Sequence, residues 1–465
     1  MKYSVIQLSI VLSGSMLLSA CQSSLELKPA DYVVPSIDSA QRYKYADLNW
    51  VSSADVVTEG DWWQLYQDPV LSQLMQQLNQ DNLSLQQAQA RYRSAAALLD
   101  AERARRSARI DVTGDAKRSG VKHQGADNQF SAGIQASWVP DLWGRVAKAI
   151  EGQQANLIAA AADLAAIRLN QQLLAADAYW NIRTLDLRLA VLDQTAKSYQ
   201  RSVTILNNQY QAGFIARADV IQAETQAKQV AIQQTELQRE RSLQENVLAV
   251  LLGQAVVDFQ LNRSAYQFKL PQIPQQIPSR ILSQRPDVIR AERQLAALHA
   301  ELGLAQTAWL PDVNIGVNAA LNSTTFSHLL QSPNYLWSVG LSTVANIFDA
   351  GKRQADIAQA EANYQEKLAA YKQSILTGWQ EVEDALLRSS SLAQQAQQQQ
   401  QLLDLAIENE GVVTRRYQAG LVSYLEVVTA QNLRLNNEQQ SLQLQQQQMH
   451  NTVQLLAALG TGWTQ

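Results

Sequence analysis

The sequence predicts a mainly α-helical chain that also carries four membrane-spanning β-strands, the whole written as two copies of one pattern. Three observations lead there. Of 465 residues only 10 are Pro and 19 are Gly, and 17% are charged, a composition poor in turn formers that suits long helices joined by few loops. Four segments alternate apolar and polar residues with period two over about ten positions, the length a tilted membrane strand needs. Short motifs recur 207 positions apart with no gap between them. The same composition sets limits. A formal net charge of -4, with both signs interspersed, offers no electrostatic footprint for nucleic acid. One cysteine rules out an intrachain disulfide, and the four histidines (His123, His299, His328, His450) are too scattered to read as a zinc or haem site, so no cofactor or metal is expected.

Residues 1–20 read as an export signal, with Lys2 as the positive start and an apolar stretch over 5–18 that is too short to stop in a bilayer. The one cysteine, Cys21, follows Leu18-Ser19-Ala20, and Leu-Ser-Ala-Cys resembles the lipobox of bacterial lipoproteins. That pattern implies a diacylglycerol on the thiol and an N-acyl (palmitate) chain. Gln22, where an Asp would favour retention in the inner membrane, points to the outer membrane. The alternative is a cysteine after an ordinary signal peptide. Residues 21–61 are then a lipidated, extended amino-terminal segment. No later run reaches the roughly 18 apolar residues of a transmembrane helix, so a crossing must use strands.

A first repeat spans 62–253 and a second 279–465, joined by an equatorial linker, 254–278. Each opens with a helical segment, about 65–107 and then 279–309. A hairpin follows, about 110–139 and then about 311–347. Its strands read as Ile110, Val112, Gly114, Ala116 and Phe130, Ala132, Ile134, Ala136, Trp138 in the first copy. In the second they read as Val313, Ile315, Val317, Ala319, Leu321 and Tyr335, Trp337, Val339, Leu341, Thr343, Ala345. Aromatic residues (Phe130, Trp138, Trp143, Trp309, Phe326, Tyr335, Trp337) gather at the strand ends, as in an interfacial girdle. A soluble hairpin with one buried face is the competing reading. Asp111-Val112 matches Asp312-Val313 at an offset of 201, so the second copy holds six extra residues before its glycine, which implies a surface loop.

From Gly144 to Gly213, and again from Gly351 to Gly420, the chain has no proline; a helix of that length rises about 100 Å. Apolar residues in the second copy recur with a spacing near the straight-helix value of about 3.6, which predicts little supercoil. The return leg from Gly420 to Gly460 rises only about 60 Å, so two short helices must stack end to end beside each long one. The linker and residues 461–465 then meet in a belt at mid-height. Tyr210-Gln211-Ala212-Gly213 recurs as Tyr417-Gln418-Ala419-Gly420, and Leu252-Gly253 as Leu459-Gly460, each pair 207 apart. The first pair places helix-to-helix turns at about 210–219 and 417–426. A Gly there permits the positive φ that ends a helix.

Four strands cannot close a membrane barrel alone. Two chains would give eight strands and a filled interior, whereas three would give twelve and a lumen. At this point the motifs carry a family resemblance. They are the lipobox at Cys21, Asp141-Leu142-Trp143-Gly144-Arg145, Arg285-Pro286-Asp287-Val288 through Ala291-Glu292, and Trp309-Leu310-Pro311. Asn346-Ile347-Phe348-Asp349-Ala350-Gly351 and Tyr417-Gln418-Ala419-Gly420-Leu421 through Tyr424-Leu425-Glu426-Val427 complete the set. Over essentially all of the mature chain the sequence resembles the TolC-like outer-membrane efflux ducts, in the lipoprotein (NodT) branch serving tripartite pumps.

The resemblance implies a homotrimer with a twelve-stranded barrel in the outer membrane and a long α-helical barrel in the periplasm. Such a duct passively conducts what an inner-membrane RND-type pump and a periplasmic membrane-fusion adaptor deliver. It makes the turns the periplasmic tip, where Gly213, Phe214, Ile215, Gly420, Leu421 and Val422 offer adaptor contact. It also makes Glu426 part of an acidic ring at the closed aperture, with Leu425 and Thr429 on the same narrow stretch. Tyr210, Asp219 and Tyr417 become the polar contacts that hold the tip shut. Some members carry a second acid where Thr429 stands and an Arg where Val422 stands. The pump, adaptor and cargo are not written in the chain, and no Met-rich tract points to copper or silver. A duct for type I protein secretion and a non-spanning periplasmic lipoprotein scaffold are the alternatives. Glutamine tracts at 394–401 and 445–448 suit a neutral wetted helix wall. Glu381, Glu383 and Asp384 have no matching base or nucleophile, so no enzyme is read.

Overall fold

Helix dominates, as so little Pro and Gly requires. The computed structural model describes residues 31–35, 44, 61–121, 125–271, 285–331 and 334–460. The export signal, Cys21, most of the segment before residue 61, residues 272–284 and residues 461–465 lie outside the described residues. A 3-10 turn, Trp62–Tyr66, precedes helices α1 (Pro69–Asp81) and α2 (Leu83–Ala104) and strands β1 (Arg109–Val121) and β2 (Gly125–Trp138). Next come α3 (Arg145–Gln211) and α4 (Arg217–Leu251). The second copy gives α5 (Pro286–Thr307), β3 (Asp312–Ser323), β4 (Tyr335–Val344), α6 (Lys352–Gln418) and α7 (Tyr424–Ala458). Helix lengths recur from copy to copy: 22 residues in α2 and α5, 67 in α3 and α6, 35 in α4 and α7. Among the described residues no helix is long and apolar enough to cross a membrane.

By contact the chain divides into two compact units. One takes Tyr92–Ala160 and Ala291–Tyr371 and holds the sheet, whose antiparallel order is β1-β2-β3-β4. The other takes Ile37–Arg91, Ala161–Arg290 and Lys372–Gln465, and holds α1, α4, α7 and most of α3 and α6. Its core is built on Trp62, Trp63, Tyr66, Leu71, Met75 and Leu78, packed on Tyr179 and Trp180 of α3, Leu248 and Leu252 at the end of α4, and Met449 and Val453 of α7. Tyr266 and Phe268 of the linker pack against this cluster, so the linker joins the core.

The sequence predicts one helix over 65–107, and the structure breaks it at Asn82. Asp68 starts α1 by accepting from the amides of Val70 and Leu71, with Pro69 in the first turn. The run stops without Pro or Gly because Asn82 turns extended. Its Oδ1 caps α2 by accepting from Leu85 N (3.0 Å), and its Nδ2 donates to the last carbonyl of α4, Leu251 O (2.7 Å). The side chain thus joins the end of α4 to the start of α2. In the second copy Arg285 makes the same kind of joint: its Nη1 donates to Ala458 O at the end of α7 (3.0 Å), just before α5 begins. The end-to-end pairing expected of the short helices is present in both copies, with different chemistry. The segment expected to be helical from 279 is described only from Arg285 onward, and its helix starts at Pro286.

Candidate functional site

The strand register sorts the sheet into two faces. Ile110 lies opposite Ala136 and Val112 opposite Ile134; Ala136 in turn faces Val317, and Ile134 faces Ala319. Those two pair with Val339 and Trp337. Because side chains alternate along a strand, all of these share one face. Every residue that sequence periodicity assigned to the strands, up to Thr343, lies on it; Ala345 falls one residue beyond β4. The opposite face reads Asp111, Gln135, Asn318, Ser338 across one level and Asp115, Ser131, Asn322 across another.

On the apolar face Trp337 and Leu341 are about seven-tenths exposed, where a water-facing sheet would place polar side chains. Phe130 and Phe326 meet edge to face (5.7 Å between centroids). At the helical end the indole N–H of Trp138 donates to Arg106 O and that of Trp143 to Pro311 O. Aromatic rings at both ends of an apolar band, with the indole N–H groups anchored at the helical end, are what a bilayer interface selects. Among the described residues both outer strands, β1 and β4, keep one unpaired edge.

The two helix-to-helix turns have nearly the same geometry. Phe214 N donates to Gln209 O and Gly213 N to Tyr210 O (both 2.9 Å); in the second copy Leu421 N donates to Arg416 O (2.9 Å) and Gly420 N to Tyr417 O (2.8 Å). This double bond pattern closes a helix only through a residue at positive φ, and Gly213 and Gly420 supply it at +77° and +73°. Phe214 is 82% exposed and Leu421 70%, whereas Ile215 turns inward onto the tip core and Val422 is half-buried. That core is Leu206 of α3, Val220 and Ala223 of α4, and Tyr424, Val427 and Val428 of α7, with Val413 and Tyr417 of α6 packed against it.

Leu425, Glu426 and Thr429 lie exposed on the first turns of α7. The Thr429 hydroxyl donates to Leu425 O (2.9 Å), within its own helix. Asp219 and Glu426 occupy the same place in the two copies, the first turn of the returning helix, where Ala216 and Ser423 give no side-chain cap. Helix electrostatics alone favour a carboxylate there. Tyr417 packs on Tyr424 (5.7 Å), and burial together with the nearby Asp219 charge pushes its phenol up. Tyr210 is exposed, with the Arg217 guanidinium over its ring (5.7 Å). Among the described residues no cluster of His, Cys, Asp or Glu stands close enough to share a metal ion.

Sequence reading missed the buried charges that hold the linker. Asp186, buried, accepts from Arg241 Nε (2.6 Å) and Arg183 Nη1 (3.3 Å). Arg183 also donates to Asn262 O (2.8 Å) and Arg241 to Leu261 O (2.6 Å), while Leu261 N donates to Glu245 Oε1 (2.9 Å). The spacing of Arg183 and Asp186 is that of an ordinary solvated helix pair, so only their absence from the second copy, where Ser390 and Ala393 stand 207 residues on, hinted at a special role.

A family model described as outer membrane efflux protein matches residues 74–254 and 277–461, one stretch in each copy. Over 431 residues the chain is 29% identical to the pyoverdine export outer membrane protein OpmQ of Pseudomonas putida, covering 89% of this chain and 90% of that one. It is 28% identical over 446 residues to the cation efflux system protein CusC of Escherichia coli O6:H1, covering 94% and 95%. The solved structure of the outer-membrane channel OprN superposes with a TM-score of 0.87 at 26% identity, over 94% of this chain and 99% of that one. With a two-faced sheet, two matched helical turns and a family match that takes in both halves, the chain belongs to the outer membrane efflux protein family, whose members are transport channels of the outer membrane and not enzymes.

Proposed function

We propose that three copies of this chain close their sheets edge to edge into a twelve-stranded barrel, lipid-anchored through Cys21, and that their helices form a periplasmic duct. The observation that carries this is the register: one face of the sheet is apolar and exposed, the other polar, and two strand edges are left open. In a bilayer the apolar face meets lipid, the polar face lines water, and no edge can stay unpaired, so β4 of one copy pairs with β1 of the next. Twelve strands leave a lumen where eight would fill. A scaffold outside the membrane has no use for such a face.

The duct is passive and works in a tripartite assembly, with a periplasmic adaptor at the tip and an inner-membrane RND-type pump supplying drugs or other toxic compounds. Phe214 and Leu421 are the exposed apolar contacts for the adaptor, with Ile215 and Val422 supporting them beside Gly213 and Gly420. Glu426, with Leu425 and Thr429, faces the aperture, and Tyr210, Asp219 and Tyr417 hold the turns against one another. Imaging of the detergent-purified protein tests the assembly. A three-fold particle with a central lumen is expected, and a monomer, a two-fold particle or an irregular rod overturns it. Deleting residues 110–138 should abolish membrane integration while leaving attachment through Cys21; surviving integration refutes the barrel.

A further inference from the structure

Between α3, α6 and α7 lies a cavity of about 720 Å³ whose lining is mostly amides, with three charged or titratable side chains, Asp177, Arg388 and His450. These three are strung on one line of hydrogen bonds. Arg388 Nη1 donates to Gln454 Oε1 (3.0 Å), Gln454 Nε2 meets His450 Nε2 (2.7 Å), and His450 Nδ1 meets Asp177 Oδ1 (2.6 Å). A guanidinium only donates and a carboxylate only accepts. The line therefore has one consistent direction, through a neutral imidazole that accepts at Nε2 and donates from Nδ1. It ties α6 to α7 and α7 to α3. Past Glu438, α7 carries no other charged residue. Farther out, Tyr66 feels the Asp177 charge, and Asp384, one turn before Arg388, lines an adjoining cavity with Arg285, Asp287 and Glu381.

We propose that His450 is a proton-operated clasp that exchanges a bond between α6 and α7 for a stronger one between α7 and α3. With a proton on both ring nitrogens, Nε2 can no longer accept from Gln454. The amide must turn its carbonyl to the ring, which presents its NH2 to Arg388, and two donors cannot bond. Arg388 is released while the imidazolium and Asp177 become an ion pair. Asp177 holds the ring's pKa above its ordinary 6.5, against burial and Arg388. The ion pair's contribution is thus full below 6.5 and is lost as pH rises through the raised value. Asn451, donating to Ala385 O (3.0 Å) and Ser389 Oγ (2.7 Å), keeps α6 attached, so the release is local. The α6–α7 hairpin also carries Glu426. An effect of the clasp on the tip rests on the channel reading; the clasp itself does not.

Hydrogen exchange on the full chain in detergent, from pH 5.5 to 8 and corrected for intrinsic rates, tests it. Peptides covering 384–392 should exchange at least about threefold faster on the acid side in the unmodified protein. The step should vanish in His450→Gln and in Gln454→Leu, which leaves the His450–Asp177 pair in place. Asp177→Asn should move its midpoint to lower pH. The same step in His450→Gln, or an unmoved midpoint in Asp177→Asn, overturns the clasp. If the step appears as expected but the closed fraction in bilayer recordings stays independent of pH, the clasp stands and its link to the tip falls.

Discussion

Substituting Asp186 by Ala should free the linker from the helices while leaving most of the core intact. Asp186 is the shared acceptor of Arg183 and Arg241, and all three are buried. Breaking a buried ion pair by removing one partner costs about 3–5 kcal/mol, because the remaining charge is left without compensation. Arg241 keeps Glu245 at 2.8 Å, so only Arg183 is stranded and the lower figure, about 3 kcal/mol, applies. That corresponds to roughly a hundredfold larger population of the opened linker. The reporter is the amide of Leu261, which donates to Glu245 and exchanges when the linker opens. Hydrogen exchange of peptides over 259–263 should accelerate by about that factor in Asp186→Ala. Glu236→Ala, which removes the exposed partner of Arg239, should leave it unchanged. Equal exchange in Asp186→Ala and the unmodified protein would refute the idea that these charges hold the linker.

Three further outcomes are expected. Val339→Lys, on the apolar face, should cost about 2–4 kcal/mol at mid-membrane and lower the folded fraction seen by heat-modified gel mobility, whereas Asn318→Lys on the polar face should not. Gly253→Ala should destabilise more than Gly213→Ala in thermal melts: both residues sit at positive φ, a strain of about 1–2 kcal/mol, but only at 253 does a Cβ also meet a backbone atom, Asp81 O at 2.5 Å. Glu426→Ala should change cation preference or block by multivalent cations in bilayer recordings; unchanged currents remove Glu426 from the aperture.

What was legible in the sequence was what the chain enforces locally. Period two fixed the faces of all four strands because side chains alternate along any strand whatever its partner. The glycines 207 apart marked the turns because positive φ is a property of the residue itself. The break at Asn82 was only faintly legible: Asn79, Asp81, Asn82 and Ser84 are weak helix formers, but no Pro or Gly stands there, and the partner that holds the break is the distant carbonyl of Leu251. Arg183 and Arg241 were hidden for the same reason, as the linker carbonyls they bond, of Asn262 and Leu261, are distant in sequence. The tip was half legible. Its turns and exposed Phe214 and Leu421 follow from the motif, but the inward turn of Ile215 depends on four helix ends meeting.

The open edges of β1 and β4 also bear on how the channel is made. A single chain placed in the bilayer would hold about half the backbone groups of each edge strand in hydrocarbon, each costing several kcal/mol. With the edge-to-edge closure proposed above, insertion and pairing with other copies cannot be separate events. The rate of channel formation should depend on chain concentration with an order above one, so a modest drop in supply would remove a disproportionate share of working channels.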